Sequence, residues 1–365
     1  MRCLTSTLAL LVMLGGCRST VQPNDSLGFQ ATDATAGKGM PLTLGDGYTC
    51  ALNKKGQGQC LGTRSSVGQG AKAGWQTLRA AGTTPVLRNL VARSTVTCAI
   101  GVKPPSLENR ILCWQPQTAR TSGGVDQDAI MLSGKLNVRL RSLALQKDQV
   151  CALLADGQVG CGSFHATGNA LTLTLVKGLR SIKSIRSGES FSCGARADTG
   201  AIFCWGDNSV GQLGLGSSLR EADEPVAIAG FSGLANVIEA GSQHVCAINH
   251  AGEVFCWGRN TEQQLGAQGQ VLAEPQIIRG LPAKAEGLAL GEKHSCAQLV
   301  NGSVWCWGAG EFLGSDTRGG LIPLKVPLPA AAISIVAGLD RSCAQLVNGE
   351  FACWASEPET LAIPN

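Results

Sequence analysis

The residues with the most chemical capacity in this chain are its cysteines, 16 among 365 residues. Fourteen fall into seven pairs: Cys50 with Cys60, Cys98 with Cys113, Cys151 with Cys161, Cys193 with Cys204, Cys246 with Cys256, Cys296 with Cys306 and Cys343 with Cys353. Paired thiols can ligate a metal, act catalytically, stay buried and free, or join as disulfides. Zinc sites usually set cysteines two to four residues apart and add a second cluster or histidines, whereas these partners lie 10 to 15 apart. Disulfides are favoured. Of four histidines, His244 and His294 both stand two residues before a first cysteine. A catalytic residue rarely comes in copies on neighbouring units, so both read as hydrogen-bonding where a strand begins. His250 falls in a turn and His165 in an irregular repeat. Acidic residues recur at no repeat position as a facing pair, which gives a glycosidase dyad no support. Nucleotide-binding, metalloprotease and serine-hydrolase signatures are missing. No catalytic, cofactor-binding or metal-ligating residue is assigned.

The elements that must position the thiols can be read from HVCAINHAGEVFCWG, residues 244–258, a stretch that recurs in seven versions. If Cys246 lies across from Cys256 in an antiparallel hairpin, Ala247 faces Phe255, Ile248 faces Val254 and Asn249 faces Glu253. His250, Ala251 and Gly252 then form a three-residue turn whose last residue needs positive φ. Four residues before each second cysteine stand Gly56, Asn109, Gly157, Gly200, Gly252, Gly302 and Gly349. Asparagine is the residue that best tolerates that conformation after glycine. Directly opposed strand residues have Cα atoms about 4.5 to 5.5 Å apart, which overlaps disulfide geometry.

Charged residues make up only 15% of the chain, against about a quarter in an ordinary protein, and 48 glycines mark many turns. The formal charge of +4 is spread along the chain with no basic stripe, and no aromatic ladder is present, so no nucleic-acid partner is implied. Spaced cysteine pairs in this number fit an oxidising compartment.

At the start, Met1 and Arg2 precede an apolar run over residues 3–16. It is too short for a mature membrane span and has the shape of a signal-peptide core. The run ends in Leu14-Gly15-Gly16-Cys17, which resembles a bacterial lipobox. The resemblance implies a signal peptide over 1–16, diacylglycerol on Cys17 and membrane attachment through that lipid. Arg18 is not the aspartate that retains enterobacterial lipoproteins at the inner membrane, so an outer-membrane or surface location is expected. Residues 17–37 are polar, without hydrophobic period, and read as a flexible tether.

From residue 38 the first cysteines recur 42 to 53 residues apart, a period that suits a four-stranded propeller blade. In the fifth unit the strands are expected at 236–240, 244–249, 253–257 and 275–278. Glycine stands five residues before the first cysteine at Gly45, Gly188, Gly241, Gly291 and Gly338, but Arg93 and Gln146 take that place in units two and three, the degenerate ones. Trp114, Trp205, Trp257, Trp307 and Trp354 follow second cysteines and are core by position; Trp75 and Trp305 fall outside that register. Residues 359–363 can supply the last outer strand, so ring closure need not borrow the N-terminal segment. Unit two replaces the short hairpin turn with GVKPPSLENR, residues 101–110. Lys103, Pro104, Pro105, Glu108 and Arg110 of this loop form a candidate binding site, set against a merely tolerated insertion.

The stretches CWGDNSVGQLGLG from Cys204, CWGRNTEQQLG from Cys256 and CWGAGEFLG from Cys306, with GSQHVCAI before the fifth hairpin, closely resemble the regulator of chromosome condensation repeat. The resemblance covers residues 38–365 and is strongest over 184–354. It implies an all-β, seven-bladed propeller of four-stranded antiparallel blades, here with one hairpin disulfide each. Characterised relatives include a nuclear exchange factor for a small GTPase and a secreted β-lactamase inhibitor. Fold does not transfer activity, and an exported chain would not meet a cytoplasmic GTPase. The expected function is therefore a monomeric, non-catalytic platform that binds an envelope or extracellular protein or ligand. An envelope enzyme acting on polysaccharide is the alternative, and it would need acidic or histidine side chains converging at one mouth of the channel.

Overall fold

The computed structural model describes residues 16–19, 42–62, 76–80, 82–114, 127–128, 131–133, 138–164, 170–216, 219–314, 319–339 and 341–355. The signal-peptide core, the tether after Ser19, Trp75, His165 and the segment 359–363 lie outside them.

Each repeat folds as one antiparallel sheet, and blade 5 shows how. Its strands are Ala235–Ala240, His244–Asn249, Val254–Arg259 and Val271–Ile277, from the axis outward. Cys246 faces Cys256, Ala247 faces Phe255 and Ile248 faces Val254, as the alternating pattern requires. The outer strand starts four residues earlier than expected. A register shift between Cys256 and Gly258 lets Val271 and Leu272 pair beyond the cysteine rung. The turn residue four before each second cysteine has positive φ in all seven blades, including Asn109 at 57° and Gly252 at 83°.

Inner strands Leu42–Leu44, Val86–Arg93, Leu140–Leu145, Ile182–Ser187, Ala235–Ala240, Ala285–Leu290 and Ala332–Ala337 touch in succession, and the seventh touches the first. Seven sheets therefore close into one ring. Blades 1 and 2 depart from four strands. Gln127–Asp128 adds in parallel to Gln76–Arg79, and Ala170–Leu171 adds in parallel to Met131–Ser133. The fourth strand of blade 7 is Gly16–Ser19, antiparallel to Phe351–Ala355 with Cys17 opposite Cys353. Both ends of the described chain thus meet in one sheet, and the edge of that blade is covered rather than left open.

The core lies between blades. Val245, Ala247 and Trp257 pack with blade 4, while Cys246, Ile248, Val254 and Cys256 pack with Leu288, Leu290, Ala297, Leu299 and Trp307 of blade 6. All seven expected cysteine pairs are disulfides. Cys50 is joined to Cys60, Cys98 to Cys113, Cys151 to Cys161, Cys193 to Cys204, Cys246 to Cys256, Cys296 to Cys306 and Cys343 to Cys353, with Cα atoms 4.0 to 4.1 Å apart. That spacing is closer than the roughly 4.5 Å usual for a non-hydrogen-bonded pair. The degenerate blades keep the rung. Cys113 stands directly opposite Cys98 although 15 residues separate them, because the longer loop 101–110 lies beyond the paired strands. Cys161 stands opposite Cys151 and is half-buried, on a strand whose outer neighbour is only Thr174–Leu175. Because each rung faces a neighbouring blade, it staples its own hairpin and also forms part of the inter-blade packing.

The repeat motif has a second use between blades. Asn260 Oδ1 accepts from Leu265 N at 2.8 Å, shaping the turn that buries Leu265. The Gln264 carbonyl exposed by this turn accepts from Trp307 Nε1 of the next blade at 2.9 Å, as Gln212 does from Trp257 at 3.1 Å. Blade 6 puts Phe312 where the glutamine would stand, and Trp354 Nε1 of blade 7 is buried without an acceptor among the described residues.

Candidate functional site

A propeller offers two mouths to its axial channel, and the departures from repeat regularity identify what each does. At the mouth formed by the turns between first and second strands, glycine is required by contact. A Cβ on Gly241 would lie 2.3 Å from the His244 ring, and one on Gly188 would lie 1.9 Å from the Phe191 ring. Tyr48 over Gly45 and His294 over Gly291 repeat the arrangement. Blades 2 and 3 have no ring there, since Val96 and Gln149 take its place, and they are the blades that also lack the glycine. Blade 7 keeps Gly338 and sets Arg341 at the ring position.

Arg93 uses the freedom that blade 2 gives. It stands on the inner strand, yet its Nη2 donates to the Ser187 carbonyl of blade 4 at 2.7 Å and the Ala240 carbonyl of blade 5 at 3.3 Å. A single buried guanidinium therefore reaches from blade 2 to blades 4 and 5 and crosses the axis at this mouth. Burial lowers its pKa to about 10 against the opposing pull of Glu239 and Glu189, so it stays cationic at neutral pH. Gln146 of blade 3 reaches the next blade instead, donating to Ser192 Oγ at 2.8 Å.

The two repeated histidines join blades. His244 Nε2 meets Ser295 Oγ of blade 6 at 2.9 Å, and His294 Nε2 meets Ser342 Oγ of blade 7 at 2.7 Å. Ser295 gives its only proton to the Gln264 carbonyl at 2.7 Å. It must then accept from His244, which fixes that imidazole as the Nε2–H tautomer. His244 Nδ1 is buried with no partner among the described residues. Burial, with His294 and Arg93 nearby, pushes the His244 pKa down to about 3. The ring is neutral and sealed from solvent, which suits an inter-blade strut and leaves no access for substrate.

Below Arg93, Arg186 of blade 4 donates to Glu239 of blade 5 at 2.8 Å. The channel then widens into a cavity of about 620 Å3 that opens among the hairpin turns of the opposite mouth. Its wall includes Glu286, Gln298, Ser334, Leu288 and Ile335, and Val300 and Val347 stand at the rim. The molecule is thus a cup, barred at one end and open at the other. Two carboxylates line it, but Glu239 is held by Arg186, and Glu286 accepts from Gln298 Nε2 at 3.0 Å. Among the described residues no three His, Cys, Asp or Glu side chains come together as a metal-ligand group. Among the described residues that line the cavity no histidine joins these two carboxylates, so polysaccharide chemistry is not favoured.

The loop 101–110 divides in two. Lys103, Pro105 and Glu108 are exposed and Pro104 is half-buried. Leu107 is buried, and Asn109 is bonded to blade 3 through the Val138 carbonyl at 3.0 Å and Leu140 N at 2.8 Å. Arg110 turns inward, with Nη1 reaching the Ser133 carbonyl at 3.4 Å and Nε buried without a partner among the described residues. Half of the candidate loop is consequently a brace between blades 2 and 3. Only Lys103, Pro104, Pro105 and Glu108 remain available at the surface. Sequence reading missed Arg93, Arg186, Glu239 and Glu286 as channel residues. A signal was available for two of them: Arg186 and Glu239 carry opposite charges at the same repeat position, seven before the first cysteine.

Comparison with known proteins agrees with this geometry. Models of the regulator of chromosome condensation (RCC1) repeat match residues 199–248, 251–298 and 182–212. Probable E3 ubiquitin-protein ligase HERC4 of Homo sapiens is 34% identical over 95 residues, 24% of this chain and 9% of that protein. Probable E3 ubiquitin-protein ligase HERC3 of Homo sapiens is 38% identical over 78 residues, 21% of this chain and 7% of that protein. The chain spans less than a tenth of either human relative. Prp20p from Saccharomyces cerevisiae, whose structure was described with its binding properties to Gsp1p and histones, superposes with TM-score 0.65 at 17% identity, covering 87% of this chain and 82% of that one. The CRINKLY WD40 ectodomain of the Arabidopsis thaliana receptor kinase ACR4 superposes with TM-score 0.55 at 17% identity, covering 89% and 98%. Units within residues 182–298 thus match the regulator of chromosome condensation (RCC1) repeat, and all seven blades close into a ring of the kind that these solved structures share.

Proposed function

We propose that the protein is an exported lipoprotein, anchored through Cys17, whose propeller binds a partner protein in the cell envelope and carries out no chemistry of its own. The observation that carries this reading is the disulfide in every blade, since so many bridges form and persist in an oxidising compartment. The lipobox-like run ending in Cys17 supplies the address and the anchor. Binding without catalysis fits a site whose histidines are locked between blades and whose Glu239 is paired with Arg186. The binding described for Prp20p, and the ectodomain position of the ACR4 propeller, are consistent with a platform role for this ring. If lipid is attached at Cys17 and residues 1–16 are removed, the mature chain starts within the strand Gly16–Ser19, with Cys17 in register opposite Cys353 at the outer edge of blade 7.

The test is photo-crosslinking in cells from Lys103 and from Val347, on the hairpins of blades 2 and 7, combined with metabolic labelling by an alkyne fatty acid. One discrete crosslinked envelope protein, with label lost in Cys17→Ser, is the expected result. Crosslinks only to cytoplasmic proteins, or label retained in Cys17→Ser, would overturn the proposal.

A further inference from the structure

The cup has an unbalanced charge. Its ionisable lining residues are Arg186, Glu239 and Glu286. Arg186 is spent on Glu239 Oε2 and on the Ile185 carbonyl, bonded at 2.8 and 2.9 Å. Glu286 is left with a neutral partner, Gln298, and no cationic one among the described residues. Gln298 is itself buried and tied down by a second bond to the Ala332 carbonyl at 2.9 Å. This fixed amide orients the Glu286 carboxylate without neutralising it. Glu286 is exposed to solvent at the cavity wall, and a carboxylate fixed in a concave site without a counter-ion attracts a cation.

The rim says what should carry that cation. Val300 is 57% exposed and Val347 62% exposed, at the tips of adjacent hairpins, and both line the cavity. Adjacent exposed valines at the edge of a cavity form an apolar collar suited to being covered by another surface. Glu286 lies on the wall two residues along its strand from the level of Val300, so an exposed carboxylate beside the valines matches a side chain with a long aliphatic stem and a charged end. The volume of about 620 Å3 is within the range of ligand pockets and admits the tip of a loop.

We infer that the open mouth of the channel is a docking site for a protruding loop of the partner protein, one that inserts a lysine or arginine toward Glu286 while its stem lies across Val300 and Val347. This rests on the platform reading and deepens it. The bar formed by Arg93 makes the opposite mouth unsuitable, since it presents a cation and crosses the axis. Insertion is therefore one-sided.

The probe is the capped tripeptide acetyl-Gly-Lys-Gly-amide, titrated against the full folded domain with labelled valine and isoleucine methyl groups. Norleucine and glutamate analogues serve as controls. The lysine peptide should shift Val300, Val347 and Ile335 methyl signals with millimolar affinity, and the norleucine peptide should bind at least 5-fold more weakly. Glu286→Gln should remove that difference while its thermal melting stays within 1 °C of the parent, and 0.5 M salt should weaken the lysine peptide alone. Equal binding of lysine and norleucine peptides, an unchanged preference in Glu286→Gln, shifts confined to other methyls, or no shift at 20 mM would each overturn the inference. A Val347 crosslink to an envelope partner that persists unchanged in Glu286→Gln would leave the platform standing and remove the lysine dock, so the two failures are distinguishable.

Discussion

Acid should loosen this propeller through one identified ring. His244 is buried with its proton on Nε2, committed to Ser295, and with Nδ1 facing no acceptor among the described residues. A second proton would have to go on Nδ1, in a dry site already close to His294 and the Arg93 cation. Burial first, then those two neighbours, lower its pKa to about 3, whereas an unfolded histidine titrates near about 6.5. A histidine whose folded pKa is depressed contributes stability that is complete above the unfolded value and is lost as pH falls from there toward the folded value. Between those limits the unfolded chain holds a proton that the folded chain refuses, so unfolding free energy drops by about 1.4 kcal/mol per pH unit. From pH 7 to pH 5 the difference integrates to about 2 kcal/mol, before most carboxylates begin to titrate. The comparison is with His244→Phe, because Phe191 already occupies the equivalent place over Gly188 in blade 4. That variant loses the bond to Ser295 and should be less stable at pH 7 by about 1 kcal/mol, but it should lose less on acidification. Denaturant unfolding at pH 7, 6 and 5 at constant ionic strength measures both slopes, and the remaining histidines cancel in the difference. Parallel slopes for the two proteins would show that His244 is protonated in the fold and would refute the sealed, neutral strut.

Other perturbations follow from the same architecture. Arg93→Leu removes a charged donor that serves two carbonyls on different blades, and should cost about 2 to 4 kcal/mol, read as a fall in thermal midpoint of about 4 to 8 °C. Arg93→Lys has one compact ammonium in place of the guanidinium fork and should recover less than half of that. At Asn109, which combines positive φ with two bonds to blade 3, Ala should cost about 2 to 3 kcal/mol and Gly about 1 to 2, since glycine keeps the backbone and loses only the bonds. Chemical denaturation of the pair checks the order, and equal losses would assign the whole effect to one cause.

What the sequence reveals about this molecule depends on whether the information is local. The cysteine rung, its facing residues and the turn glycine are set within about 11 residues, and alternation plus the left-handed turn position decide them. The blade count follows from period alone. Even the rung from Cys98 to Cys113, across the longest loop, is legible, because Asn109 keeps the turn position four residues before the second cysteine. Contacts between blades are another matter. Arg93 is visible as a departure from glycine, but its hold on blades 4 and 5 depends on which units stand across the axis in a ring of seven. The cup likewise draws Arg186, Glu239 and Glu286 from three successive repeats. Ring closure by Gly16–Ser19 and the extra strands Gln127–Asp128 and Ala170–Leu171 are pairings of edge backbone over two to four residues, and backbone pairing leaves almost no imprint on side-chain pattern. The loop 101–110 looked like an unconstrained insertion because Leu107 packs with residues of blades 1 and 2, Asn109 bonds to blade 3 and Arg110 reaches the outer strand of blade 2.

The central claim is a closed ring in which every blade carries its own covalent rung. Peptide mapping of the protein as isolated from cells, alkylated on lysis and digested without reduction, tests it most directly. Seven linked peptide pairs should appear, each joining the two cysteines of one hairpin, from Cys50 with Cys60 to Cys343 with Cys353. Alkylated thiols at these positions, or bridges that join cysteines of different blades, would contradict the account.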